Sequence, residues 1–155
     1  MSRLSLDFLE GNSPEAAGLA QLHALEWQHL YREWNEKKAL EEFGAQKTDG
    51  TLPATLVLHE GGRLVGSVSV VDNDCEARTD LNPWLASLYV MSEHRGQGHG
   101  SHLIQAAIEL ANRNGVAALY VFTESAEKLF LRQGFVHFAG AVTNGHAITI
   151  LRREL

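Results

Sequence analysis

One cysteine in 155 residues, Cys75, leaves no intramolecular disulfide and no cysteine-rich zinc site to assemble. No run of about 18 or more apolar residues exists to span a bilayer, so the reading is no membrane. The opening "MSRLSLDFLEGNSPEAAG" lacks an apolar h-region, which predicts no secretory signal and a cytoplasmic setting. Basic residues form no stripe or long run, and the net charge is -6, so no nucleic-acid surface is expected. Repeats, low-complexity tracts and linkers are absent as well. What remains is an ordinary globular composition, 45% apolar and 21% charged. That length predicts a single domain over 1–155 with a core of useful size. Mild acidity leans toward cationic or neutral small partners.

Periodicity supplies the elements. Leu4, Leu6 and Phe8 alternate with polar residues as a short strand does. "SPEAAGLAQLHALEWQHL" opens a helix with Ser13 as N-cap and Pro14 in the first turn. Leu19, Leu22, Leu25, Trp27 and Leu30 continue its apolar face, and Tyr31 to Phe43 predict more helix. Two β-rich runs flank Glu60-Gly61-Gly62-Arg63, a hairpin signal. "PWLASLYV" is too apolar for an exposed edge and reads as a central strand. Ser101 to Asn114 is an amphipathic helix with Leu103, Ala107, Leu110 and Ala111 on one face, Ile104 and Ile108 beside it, stopped by Gly115. A second buried strand, a helix stopped by Gly134, and two strands around Asn144-Gly145 complete the chain. The order β-α-α-β-β-β-α-β-α-β-β mixes antiparallel hairpins with one strand-helix-strand crossover, an α/β layered sheet.

Three glycines, Gly96, Gly98 and Gly100, follow Arg95 at the strand-to-helix junction of that crossover. The first amides of a helix lack intrahelical partners, and the dipole places positive charge there. Amides from Gln97 through Gly98, His99 and Gly100 to Ser101 can therefore converge on an anion. Each hydrogen bond to a charged oxygen contributes roughly 1.5–3 kcal/mol, so several together hold a diphosphate. Arg95 adds a permanent cation at the rim. The dinucleotide fingerprint G-x-G-x-x-G fails on spacing, and the Walker G-K-[ST] is absent. A glycine-rich turn without a ligand is the plain alternative.

The larger pattern, Val90-x4-Arg95-Gly96-x-Gly98-x-Gly100 after an apolar strand and before an amphipathic helix, resembles the acetyl-CoA pyrophosphate loop of the GNAT superfamily of N-acetyltransferases, R/Q-x-x-G-x-G/A. That family often carries N-x-x-A-x-x-x-Y-x-x-x-G-F after its next strand. "TESAEKLFLRQGF", residues 123 to 135, has the same length, with Ala126, Gly134 and Phe135 in place. The resemblance runs from about residue 54 to 151 and is thin over the N-terminal helices. "NPWLASLYV" and "NGHAITILRREL" also look like a bacterial subgroup.

The resemblance implies a mixed, mostly antiparallel sheet of about seven strands flanked by helices. It also implies acetyl-CoA as co-substrate, no metal, an amine acceptor, and a monomer or homodimer; the carboxylates of the loop before the central strand favour a small cationic acceptor. In the family a bulge splays the strand before the loop, and its backbone bonds the pantetheine arm. The matching positions are Leu88, Tyr89 and Val90, with an amide of Leu88 or Tyr89 facing the thioester carbonyl. The family's Asn is replaced by Thr123, whose hydroxyl can still bond. The Tyr that usually protonates the departing thiolate is replaced by Phe130, which cannot. A thiol of pKa roughly 8.5 leaves tolerably without help, or Tyr89 or Ser125 substitutes. Phe130 also keeps open an alternative, a non-catalytic acyl-CoA-binding or sensing module.

A lysine-like amine, with a pKa of about 10.4, needs a base. "VDNDCEARTD" places Asp72, Asp74, Glu76 and Asp80 just before the central strand. Asp74 and Asp80 are the candidates for base or amine anchor; a solvated acidic loop is the plain alternative. His94, His99 and His102 raise a metal hypothesis, but with no HExxH pattern the preferred reading is solvated or capping histidines. Trp27, Trp34 and Trp84 read as core, with Trp84 the one that could wall the acceptor pocket.

Overall fold

The computed structural model describes residues 3–155. Strand β1 is Leu4–Phe8, followed by helices α1, Pro14–Trp27, and α2, Glu36–Gly44. Strands β2, Ala54–Glu60, β3, Arg63–Val71, and β4, Trp84–Val90, come next. A 3-10 turn at Ser92–His94 leads into α3, His99–Arg113, then β5, Ala118–Thr123, α4, Glu127–Arg132, β6, Val136–Thr143, and β7, His146–Glu154. The seven strands form one sheet in the order β1-β2-β3-β4-β5-β7-β6. Every pairing is antiparallel except β4 with β5. This is the mixed, mostly antiparallel architecture that the resemblance implies, with β4 at its centre.

Local chemistry explains most boundaries. Ser13 caps α1 by accepting from the Ala16 N–H at 3.1 Å, with Pro14 directly behind it. Gly115, at φ 73°, ends α3 as a Schellman turn: Val116 N–H donates to Ala111 O and Gly115 N–H to Asn112 O. Helix α4 ends the same way at Gly134, where Phe135 N–H reaches Phe130 O at 3.2 Å. The Phe130 and Phe135 rings meet edge to face across that turn, 5.7 Å apart. Helix α3 buries Leu103, Ile104, Ala107, Leu110 and Ala111 against Leu58, Val65, Leu85 and Leu119 of the sheet. Each large aliphatic side chain so buried contributes about 1.5–3 kcal/mol. The opposite sheet face packs Trp84, Ile148 and Ile150 with Leu30.

The N-terminal helices depart from the expected pattern. Leu25 is 71% exposed, and α1 instead buries Ala16, Leu19, Ala20, His23 and Ala24. Small residues at that spacing let α1 pack closely on Ala39 and Phe43 of α2, which leucine periodicity alone does not reveal. Nor does helix resume at Tyr31: residues 28–35 form an irregular bridge, and α2 starts at Glu36 with Asn35 accepting from the Lys38 N–H at 2.9 Å. Helix α3 begins two residues before Ser101, at His99, so Gly100 and Ser101 lie inside its first turn. No helix among the described residues is long and apolar enough to cross a membrane.

Candidate active site

Strand β4 pairs with β3 on one side, yet it touches β5 in register only at Trp84–Tyr120. A bulge drives the separation. Ser69 pairs with Ala86 and Ser67 with Tyr89, so Ser87 and Leu88 together oppose Val68. Ser87 sits at φ 53°, a left-handed conformation costly for a residue with a Cβ. The extra residue bends β4 away from β5. A cavity of about 260 Å3 opens in the gap, floored by Leu85 to Leu88 and by Val121 to Thr123. It lies at the carboxyl ends of the two parallel strands, where open α/β sheets place ligands.

The residues expected at the cofactor end fall into two groups. Leu88, Thr123 and Phe130 line the cavity, whereas Tyr89 and Val90 do not. Tyr89 pairs with Ser67, and its ring packs between His23, Trp27 and the Arg95 guanidinium, 5.5 Å from the ring centre. Val90 O already accepts from Arg95 Nε at 2.8 Å. Arg95 is therefore exposed but folded back along β4 rather than reaching outward. Gly96 and Gly98 stand at φ 77° and 83°, the backbone region that only glycine enters without strain. Gln97 lies exposed between them. Gly98 is the N-cap of α3, and His102 N–H closes the first turn on Gly98 O at 3.2 Å. That leaves the amides of His99, Gly100 and Ser101 ahead of the closed turn. A Cβ at Gly100 would meet only Leu129 Cδ2 at 3.8 Å, ordinary contact, so no steric need of the fold holds a glycine there. The side chain of His99 is buried beneath the loop, 6% exposed. Phe130 is buried at 4% exposure and carries no proton to give. Thr123 Oγ1 accepts from the Ser125 and Ala126 amides at 3.3 and 2.9 Å, capping the turn into α4.

The acidic loop divides as sharply. Asp74 lines the cavity, and Tyr31 Oη donates to its Oδ1 at 2.6 Å. Burial raises the Asp74 carboxyl to about 7; the Tyr31 hydrogen bond pulls the other way, and the nearby Glu42 charge adds to the rise. The same burial, with Asp74 beside it, holds the Tyr31 hydroxyl well above its ordinary range. Asp80 is elsewhere: it is exposed, gripped by Arg78 through two 2.9 Å bonds that keep its carboxyl low. The fold does not bring it to the cavity. Glu76 accepts the Arg32 amide at 2.8 Å and Asp72 is exposed. Trp84 is fully buried, its Nε1 donating to Leu81 O at 2.7 Å, and so belongs to the core. The tryptophan that does line the cavity is Trp27.

Several cavity residues escaped sequence reasoning. Tyr31 comes from the bridge between α1 and α2, 43 positions from Asp74, and no motif announces the pairing. Glu26 and Glu124 add carboxylates to the wall. Glu124 is held by His29 Nε2 at 2.6 Å and His146 Nδ1 at 3.6 Å. Ser87 had no sequence signal at all, since serine is not a residue that marks a positive φ.

Comparison with known proteins fits this geometry. The chain is similar to the uncharacterized N-acetyltransferase YhfO of Bacillus subtilis (strain 168), 23% identical over 141 residues, covering 88% of this chain and 94% of that protein. Its fold matches yncA of Salmonella typhimurium, solved with its cofactor acetyl-CoA, at a TM-score of 0.75 and 22% identity, over 98% of this chain and 94% of that one. It also matches N-acetylglutamate synthase of Neisseria gonorrhoeae, complexed with coenzyme A and N-acetyl-glutamate, at a TM-score of 0.69 and 22% identity, over 99% of this chain and 35% of that one. The family model described as the acetyltransferase (GNAT) family covers residues 19–135, from the middle of α1 through the bulged strand, the glycine loop and the end of α4. The chain therefore belongs to the acetyltransferase (GNAT) family.

Proposed function

We propose that this protein transfers the acetyl group of acetyl-CoA to a small primary amine by direct attack, with Asp74 as the general base. The observation that carries the reading is Asp74 itself: a carboxyl of pKa about 7, hydrogen-bonded by Tyr31, on the wall of the gap between β4 and β5. A base poised near neutrality holds the balance of deprotonated fraction and basicity that proton removal from an ammonium requires.

The remaining residues support specific roles. The amides of His99, Gly100 and Ser101 at the start of α3 suit a diphosphate. The fit is physical, since Gly96 and Gly98 hold left-handed turns and Gly100 leaves the helix surface bare. When bound, acetyl-CoA supplies an activated thioester, and the freed backbone at Leu88 beside the Ser87 bulge suits its carbonyl oxygen. Phe130 offers an apolar wall where related chains carry a tyrosine. Ser125, on the cavity wall, is the hydroxyl nearest in role to the missing donor, and Tyr89 points its ring elsewhere. Cys75 favours a mechanism without an acyl-enzyme: it lies outside the cavity, and burial raises its thiol. Glu26, Asp74 and Glu124 together favour a cationic acceptor.

The test has two steps. Calorimetric titration with acetyl-CoA, beside desulfo-CoA and NADH, should give micromolar-range binding of the CoA species alone. Steady-state release of CoA should then rise above the hydrolysis background with a cationic primary amine. Failure to bind either CoA ligand would overturn the reading; binding without amine-dependent release would overturn the amine.

A further inference from the structure

Outside the cavity lining, three side chains from separate elements converge. Glu60 ends β2, His94 closes the 3-10 turn after β4, and His99 opens α3. One ligand atom from each lies within 4.8 Å of the other two. Among the described residues this is the one group of three His, Cys, Asp or Glu side chains that comes together so closely. Of the three histidines that spacing groups, His94, His99 and His102, the last is exposed. The fold keeps His94 and brings Glu60 in place of His102.

A second observation sets this group apart from a surface cluster. His99 is only 6% exposed, and its Nε2 is buried with no hydrogen-bond partner among the described residues. Buried polar atoms are nearly always satisfied, so an orphan nitrogen calls for an explanation. In the tautomer that carries its proton on Nδ1, this Nε2 is a lone pair available to a metal. The His94 and His99 rings stand 6.4 Å apart at 67°, leaving room between them. Glu60 and His94 are both half-buried and give an ion a path from solvent.

We propose that Glu60, His94 and His99 bind a divalent transition-metal ion of the zinc class, which ties both ends of the glycine loop to the β2–β3 hairpin. Two imidazoles and one carboxylate form a donor set for zinc, with water in the fourth position. All-oxygen preferences argue against calcium and magnesium. Zinc ligands at about 2.0–2.1 Å and a tetrahedral angle lie roughly 3.4 Å apart. Closing the observed group therefore asks for at most ~1.4 Å from the half-exposed Glu60 and His94 side chains. His94 and His99 bracket residues 95–98, so one ion bonded to both pins the turn that Gly96 and Gly98 shape. The site is distinct from the acetyl-transfer cavity, and the transfer chemistry does not use it.

Metal-stripped protein titrated with zinc chloride, without acetyl-CoA, tests the site apart from the transferase reading. One ion per chain should bind with a Kd of about micromolar or tighter. Glu60→Gln and His94→Ala should each weaken it roughly tenfold or more. His99 is left in place because its burial links it to folding. Cobalt in place of zinc should give the intense visible bands of a four-coordinate site, and hydrogen exchange of the 95–98 amides should slow when zinc is bound. No one-to-one binding would overturn the proposal. So would binding unchanged in both variants, which would place the ion at surface histidines such as His29 and His146. Zinc bound at this site with loop exchange unchanged would overturn the tie between ion and loop.

Discussion

Two loops flank β4, and they work by different means. The one after it, residues 91–98, acts through backbone: glycine at φ 77° and 83° turns the chain so that α3 starts with its amides forward. The one before it, residues 72–83, acts through a side chain, and only one of its four carboxylates reaches the cavity. Composition does not separate Asp74 from Asp80. Their partners do: Tyr31 and burial for the first, Arg78 and solvent for the second. A function carried by backbone conformation is written into adjacent residues. One carried by a side chain depends on what the rest of the chain brings to meet it.

Removing the selected carboxylate is the strongest way to break this comparison. Asp74→Asn should lower kcat by about 10²–10⁴-fold while leaving acetyl-CoA affinity unchanged. The wild-type rate should climb with pH through about 7 as Asp74 ionises, and the variant should lose that limb. The backbone loop breaks next. Gly98→Val forces a β-branched residue to φ 83°, and calorimetry should show roughly tenfold weaker acetyl-CoA binding. Tyr31→Phe sharpens the picture. Its hydroxyl is the group that lowers the Asp74 carboxyl against burial, so the rising limb of the pH–rate profile should move to higher pH. A few-fold loss of rate is expected at neutrality, with recovery in alkali.

Stability offers a subtler contrast between Asp74 and His23, both desolvated and both pushed toward neutrality. The Asp74 carboxyl is raised from 3.8 to about 7, so the unfolded chain releases that proton first and stability falls as pH rises across that interval. His23, packed among Trp27, Phe43 and Tyr89, is lowered from 6.5 to about 4, so its contribution is lost as pH falls below 6.5. Asp74→Asn should therefore raise Tm at pH 8 by a few degrees and leave it nearly unchanged at pH 4, a difference scanning calorimetry resolves. The smallest effect belongs to Asp80→Asn, which should leave the pH–rate profile as it is; a loss comparable to that of Asp74→Asn would return Asp80 to the mechanism.

Much of the architecture was legible because its determinants are local. Alternation marked the strands, Ser13 and Gly115 marked helix ends, and Asn144-Gly145 marked the last hairpin, each through forces acting over a few residues. The α1 face was misread at Leu25 because close packing against α2 favours the small Ala16 and Ala20, a preference set by the neighbour and not by the helix. The resemblance implied a bulge in β4 but not its seat at Ser87, since strain at a left-handed serine is sustained by the pairing of β3 with both sides of it.

By itself the sequence determined the order of elements, the glycine corner and the family whose pattern that corner carries. Only the tertiary structure decided which acid faces the cavity, that Arg95 folds back onto Val90, and that His94 and His99 meet Glu60. The physical reason is the range of the forces involved. Backbone conformation answers to the nearest residues, whereas desolvation and side-chain pairing depend on where the folded chain places each partner, five positions away for Arg95 and Val90 and 43 for Tyr31 and Asp74.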